Sequence, residues 1–348
     1  NTQWGWIPRL NIKHNNGNLI VGGEFRIHRS DHFGNINFAE NLPEGIPANY
    51  KYYSYNGAKD IVNIFANEQY QITEKINVLG ELQLAYNKYK IYNEKYVGNE
   101  FTIDGLFLNP RVGFNYKFTE DLNSYFSFAQ VTREPRLKNY YDVAESSAGE
   151  VPQFEVDLNG NYDFTKPLVN PETMNSLELG SSYNTRNMNL SANIFYMLFT
   201  DEIVKSGQLD RFGQPITGNM DKTTHAGIEL SGTFKLNSYI DFTFNGTYSK
   251  NQIEQGYYYE DEDNIINLKG NSISGFPEIT ANGIIRLNFD GFFSQLWVKY
   301  VGDFYTDNFG DITGLTDYDN KVDSYFVSNI LLSYKFNANT IIAWWQCY

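Results

Sequence analysis

YIDFTFNGTYS, residues Tyr239–Ser249, decides the fold class. Ile240, Phe242, Phe244, Gly246 and Tyr248 alternate with Asp241, Thr243, Asn245, Thr247 and Ser249, a period of two held over the whole stretch. Only an extended strand sends successive side chains to opposite faces, so the segment reads as a strand with one apolar and one polar face. The pattern recurs outward from it. Leu19, Val21, Gly23, Phe25 and Ile27 alternate with Gly22, Glu24, Arg26 and His28. Met188, Leu190, Ala192, Ile194, Tyr196 and Leu198 alternate with Asn189, Ser191 and Asn193, and Ile228, Leu230, Gly232 and Phe234 with Glu229, Ser231, Thr233 and Lys235. Carried along the chain, the spacing predicts roughly 13 or 14 strands, most of about 10 residues or more, whereas soluble strands average about five or six and a tilted bilayer strand needs about 9–11.

The connections alternate between short and long. The short ones are His14–Asn18, Thr73–Lys75, Thr119–Asp121, Thr185–Asn187, Asn237–Ser238, Asp290–Gly291 and Asn337–Asn339. The long ones are Ser30–Gly57, Asn93–Asp104, Arg133–Asn170, Lys205–Thr223, Ile253–Gly275 and Asp307–Val322. Tight turns on one side and long loops on the other are the arrangement of an outer-membrane barrel. A soluble sandwich or propeller has no reason to segregate its loops by length, and no blade-length repeat is present. Trp4, Trp6, Tyr86, Tyr183, Tyr248, Phe292, Tyr300, Phe304 and Phe336 lie near strand ends on the apolar register, where interfacial girdles form. The fold class is therefore all-β, an antiparallel transmembrane β-barrel over residues 1–348, with Ile240, Phe242, Phe244 and Leu230 facing lipid.

Composition narrows the partners. Asp and Glu number 41 against 27 Lys and Arg, a net charge of −14, and no compact basic patch offsets the field, so nucleic acid is not an expected partner. The one cysteine, Cys347, excludes an internal disulfide framework and any multi-cysteine metal centre.

Four motifs in order resemble the C-terminal barrel of TonB-dependent outer-membrane receptors. LNPRVGFNYKFTEDLNSYFSFAQVTREP (Leu108–Pro135) is similar to the family's hairpin leading into an Arg-x-Pro at the mouth of a large loop. NPETMNSLELGSSY (Asn170–Tyr183) resembles its Pro-Glu followed by Glu-x-Gly, and IFYMLFTDEIV (Ile194–Val204) and THAGIELSGTFKL (Thr224–Leu236) resemble the two strands that follow. The resemblance implies a larger barrel of about 22 strands around an N-terminal plug. Nothing in 1–348 resembles the plug or its TonB box. Strand parity and the family's strand order together lead us to expect an internal piece, with roughly seven strands before it and one after it. NANTIIAWWQCY (Asn337–Tyr348) does not resemble the expected penultimate strand, and no alternating lipid face is read in it. The piece alone is expected neither to transport nor to gate. By the same resemblance the parent takes up a scarce nutrient, a ferric siderophore or similar metal chelate, across the outer membrane of a Gram-negative bacterium. Its partners would be the TonB energy-transducing complex acting through the plug, the small-molecule ligand, and outer-membrane lipid with lipopolysaccharide. The alternative is a passive porin-like diffusion channel of about 14 strands.

No catalytic constellation stands out, so an enzyme is not expected, nor a cofactor or resident metal. His14, His28, His32 and His225 are the only histidines, and no Ser, His and acid converge in a motif. The HRSDH stretch around His28 and His32 and the acidic run Glu260–Asp263 read as solvated loops. Arg111, Glu178, Glu229 and Lys235 fall on the polar register, where they would pair with one another or with the plug. Ligand contact is expected from Arg133, Arg136, Tyr140, Tyr141, His28 and Arg29, with Tyr52, Tyr53 and Tyr55 beside them, because guanidinium forks and flat aromatic surfaces suit an anionic chelate. Selectivity would lie in the two longest loops, Arg133–Asn170 and Ser30–Gly57. A structural reading competes at Arg133, which would anchor its loop to the wall.

Overall fold

The computed structural model describes residues 1–209, 214–259, 264–312, 319–336 and 339–347. Its strands are β1 (Thr2–Trp6), β2 (Arg9–His14), β3 (Gly17–Asn35), β4 (Lys51–Thr73), β5 (Ile76–Tyr92), β6 (Phe101–Lys117), β7 (Leu122–Arg133), β8 (Phe154–Val156), β9 (Tyr162–Pro167), β10 (Glu172–Asn184) and β11 (Met188–Leu209). They continue with β12 (Pro215–Lys235), β13 (Ile240–Gln255), β14 (Tyr257–Tyr259), β15 (Ile265–Asn267), β16 (Ile279–Phe289), β17 (Phe292–Val301), β18 (Phe304–Tyr305), β19 (Lys321–Val322), β20 (Tyr325–Phe336) and β21 (Asn339–Cys347). Between β7 and β8 lie one turn of helix, α1 (Leu137–Tyr140), and a 3₁₀ segment, Val143–Ala148. Neighbours in the main 15-stranded sheet are neighbours in the chain, while β8–β9, β14–β15 and β18–β19 form separate small hairpins. No helix among the described residues is long and apolar enough to cross a membrane.

The chain divides into two compact units. One holds Asn1–Tyr70, Leu79–Arg111 and Gln130–Thr173; the other holds Gln71–Val78, Val112–Ala129 and Met174–Tyr348.

In the second unit the ladders make the two faces explicit. Phe234, Phe242, Ile285, Leu296, Ile330 and Trp345 are successive cross-strand partners, an apolar row over six strands. Leu230 opposite Gly246 and Gly232 opposite Phe244 place Leu230, Phe242, Phe244 and Ile240 on one face, as the alternation requires. That face is the exposed one, with Leu230 at 50% and Ile194 at 54%. The opposite face carries Ser191, Ser231, Asn245 and Asn282 in one row and Lys235, Asp241, Arg286 and Gln295 in another. Arg286 Nη1 bonds Asp241 Oδ1 at 2.9 Å. A sheet that exposes its apolar side and keeps its polar groups on the other is built for hydrocarbon rather than water.

The short turns share a device. Thr73 Oγ1 accepts the N–H of Lys75 and Ile76, Thr119 Oγ1 those of Asp121 and Leu122, Thr185 Oγ1 that of Met188, and Asn237 Oδ1 those of Tyr239 and Ile240. Each side chain satisfies donors that a tight reversal leaves without a ladder partner.

Three expectations need correction. Ser30–Asn35 and Lys51–Gly57, read as loop, continue the ladder through Ser30–Gly57, His32–Tyr55 and Phe33–Ser54, so the connection shrinks to 36–50. Lys205–Thr223 is shortened in the same way, with Glu202 opposite Met220 and Leu209 opposite Pro215. Beyond the apolar band polar and apolar side chains occur on both faces, so periodicity fades although backbone pairing persists. Finally, Asn339–Cys347 is a strand in register with β20: Ile341, Ala343 and Trp345 face Tyr334, Leu332 and Ile330. Its apolar alternation is masked in the sequence because Ile342 and Trp344, on the other face, are apolar too. A smaller difference lies at the start, where β1 and β2 keep one register against β3, interrupted at Ile7–Pro8 because proline has no N–H to give the ladder.

Candidate ligand-binding site

In the first unit, the segment between β7 and β10 folds on itself. Tyr140, Tyr141, Val143 and Phe154 form a buried cluster with Ile91 and Phe101. Phe154 meets Phe101 edge-on at 4.9 Å and Phe164 at 5.1 Å. A segment with its own aromatic core is a built surface rather than a floppy connection.

Both ends of this segment are clamped. Arg133 forks onto Glu172, Nε to Oε1 at 2.8 Å and Nη2 to Oε2 at 2.9 Å, with Glu172 buried. At the next residue, Glu134 receives Lys59 Nζ at 2.9 Å, Asn87 Nδ2 at 3.1 Å and Tyr89 Oη at 3.1 Å. Lys59 Nζ also stands 4.6 Å from the Tyr89 ring centroid. Lys59, Asn87, Tyr89 and Glu134 escaped the sequence reading. The signal available was position: Lys59 lies opposite His28 on the polar register, and Glu134 stands between Arg133 and Pro135.

The expected contact residues separate. Arg136 is exposed at the helix start, its backbone N–H held by Asn139 Oδ1. Arg133 is tied to Glu172, although its own side chain stays 59% exposed. Tyr140 and Tyr141 are 3% and 2% exposed, turned into the loop core, where burial pushes both hydroxyls above the ordinary tyrosine range. His28 and Arg29, adjacent on β3, point to opposite faces. His28 sits on the polar face across from Lys59, while Arg29 shares the face of Phe25 and Ile27 and forks onto Asp60 at 2.5 and 3.2 Å. Arg29, expected among the ligand contacts with His28, therefore lies on the opposite face from it. The polar face instead brings His32 and Tyr55 together, stacked at 4.7 Å and 9°, with Ser30 Oγ bonded to His32 Nε2 at 2.7 Å. Residues 260–263 lie outside the described residues.

The polar face of the second unit has a recess of about 440 Å³ lined by Tyr125, Ser191, Asn193, Glu229, Ser231 and Asn245. Asn193 joins Tyr125 Oη at 3.2 Å to Glu229 Oε2 at 3.3 Å. Among the described residues neither Glu178 nor Glu229 has a basic partner in an ion pair.

The family described as TonB dependent receptor-like, beta-barrel, matches residues 1–344. The chain belongs to that family. Solved receptors share the fold of this TonB-dependent receptor barrel. The ferric yersiniabactin uptake receptor FyuA of Yersinia pestis matches at 16% identity and a TM-score of 0.68, over 98% of this chain and 48% of its own. The closed form of the ferric-catecholate import receptor Fiu of E. coli K12 matches at 16% and 0.69, over 97% and 48%. The copper transporter OprC matches at 14% and 0.72, over 98% and 49%. The barrel chain thus spans about half the length of these receptors. No curated protein matches it by sequence. The passive diffusion channel, kept open by strand number alone, is not favoured by these matches.

Proposed function

We propose that the chain is barrel wall of an outer-membrane receptor of a Gram-negative bacterium, one that takes up a scarce nutrient with energy supplied through TonB, and that the ligand is a ferric siderophore or similar metal chelate. The observation that carries this reading is the family match over residues 1–344. Support for the ligand class comes from neighbours named for iron chelates and copper. No catalytic role is assigned. The clamped segment between Arg133 and Glu172 offers a rigid platform, with Arg136 exposed on it and His28, His32 and Tyr55 on the polar face of the strands in the same unit. A guanidinium presented this way suits an anionic chelate.

Glu178 and Glu229 have the complementary task. Two carboxylates of the polar register, Glu229 in the recess and Glu178, neither in an ion pair among the described residues, would receive basic side chains of the plug.

The test is uptake of radiolabelled ferric siderophores by cells carrying the intact protein, with and without a proton-motive force. Energy-dependent accumulation of one chelate supports the reading; equal passive entry of unrelated small solutes overturns it. Arg136→Gln should weaken chelate binding roughly tenfold or more if it donates a charge-assisted hydrogen bond.

A further inference from the structure

In the second unit a buried polar cluster joins three strands: Glu202 on β11, Thr223 and His225 on β12, and Ser249 and Asn251 on β13. Both carboxylate oxygens of Glu202 stand 3.2 Å from His225 Nε2, and Asn251 Oδ1 stands 2.7 Å from Nδ1. Thr223 Oγ1 donates to Glu202, and Asn251 Nδ2 donates to Ser249 Oγ at 3.0 Å. Phe199 and Phe276 each meet the imidazole edge to face at 5.2 Å. The backbone departs from regularity to build this. Phe199 stands opposite Thr223 and Met197 opposite His225, so strict alternation would send Glu202 to the other face with Thr200. Asp201, a non-glycine residue at φ 54°, breaks the alternation and brings the carboxylate to His225 and Thr223. The cluster lies beyond the apolar band, because the outer face from this level onward carries Lys250, Thr224 and Gln252. Two residues farther along the same strands, Val204 and Ile253 enter the loop core with Met220, Leu268, Ile273 and Phe309. The Ile273 N–H bonds the Asn251 carbonyl at 3.0 Å, tying that core to the cluster.

We propose that His225 and Glu202 form a proton-operated latch, which holds the loop core of the second unit on its sheet while the ring is an imidazolium and releases it when the ring loses a proton. An ionised carboxylate and an amide oxygen are both acceptors, so the two ring nitrogens satisfy them together only when each carries a hydrogen. Loss of one proton leaves the buried Glu202 charge without its cation, and sets a bare nitrogen against the Asn251 oxygen unless that amide turns over. Glu202 is the charged group that faces the ring. Thr223 from β12, Ser249 and Asn251 from β13, and Phe276 from the segment after β15 carry no charge, while Glu254 bonds Thr224 on the other face of the pleat. Burial works against the imidazolium, but the hydrogen bond and charge of Glu202, with Asn251, outweigh it and lift the ring's pKa above the ordinary 6.5. Opened to water the ring returns to that ordinary value, so the closed state binds more protons. The latch is therefore at full strength below about pH 6.5 and weakens as pH rises through the raised value.

The test is amide hydrogen exchange of the intact protein in detergent, followed from about pH 5 to about pH 9 and corrected for the intrinsic pH dependence of exchange. Peptides covering 202–209, 215–225 and 265–275 report the loop core, and a peptide covering 240–247 reports the sheet. Protection of the first three should fall in a single step centred above pH 6.5, by about tenfold for each unit separating the closed and open pKa values, while the sheet peptide stays protected. His225→Gln should abolish the step. Glu202→Gln, which keeps an acceptor and removes the charge, should move it to lower pH. The same step in His225→Gln, or no step in the unaltered protein, overturns the proposal. If His225→Gln does not reach the heat-resistant folded form, Glu202→Gln decides alone, and an unmoved midpoint in that variant overturns the latch.

Discussion

Glu134 gathers Lys59, Asn87 and Tyr89 at a half-buried point where the wall becomes loop. Glu134→Ala would leave an ammonium and two neutral donors without their acceptor, costing roughly 1–3 kcal/mol locally. The expected outcome is faster tryptic cleavage within 135–171 with the heat resistance of the sheet unchanged; equal cleavage rates would remove Glu134 from the role of clamp. Tyr140 supplies a pH dependence. Burial raises its pKa, so above about pH 10, where an unfolded tyrosine loses its proton, the folded loop binds more protons than the unfolded one and its stability falls as pH rises. The loop should open on the alkaline side, and Tyr140→Phe should move that opening to higher pH in a proteolysis series. No displacement would mean that Tyr140 ionises freely.

At the scale of the element, the strands depend on which face each residue takes. Phe244 opposite Gly232 lies on the apolar face and Asn245 opposite Ser231 on the polar one. Phe244→Arg should cost roughly 2–4 kcal/mol near the bilayer midplane, whereas Asn245→Arg should be tolerated, as read from urea unfolding in lipid vesicles. Equal costs would defeat the register. Two motif glycines differ in what surrounds them. A Cβ at Gly227 would collide with the backbone carbonyl of Tyr248 and sit 2.9 Å from the Ser249 Cα, so the neighbouring strand must move. At Gly180 the nearest atoms to the added carbon belong to the Tyr125 ring, the far end of a side chain rather than backbone. Gly227→Ala should therefore destabilise by about 1–3 kcal/mol and Gly180→Ala by less, in the same unfolding assay.

Across the whole molecule, each unit carries a loop core of its own, around Tyr141 and Phe154 in one and around Val204, Ile253 and Phe309 in the other, while the strands of each unit show apolar side chains to their surroundings. The intact protein should consequently reach its heat-resistant form only with detergent or lipid, and aggregate on dilution into plain buffer; a monomeric, heat-resistant form in buffer would contradict the lipid-facing assignment. Much of this was legible in the chain. Period-two alternation located the strands and sorted Leu230 and Phe244 from Glu229 and Asn245, because side-chain direction in a strand follows from local geometry alone. Turn residues such as Thr73, Thr119, Thr185 and Asn237 marked the reversals, since their side chains bond their own neighbours. The candidate site was less legible. Arg133 finds Glu172 39 residues away and Lys59 finds Glu134 75 residues away, separations that leave no periodic trace. Whether Tyr140 and Tyr141 face a ligand or a core was decided only when Ile91 and Phe101, from two wall strands, packed against them. Alternation thus determines faces residue by residue, whereas partners across long loops are settled by tertiary packing, which joins segments the local pattern cannot relate.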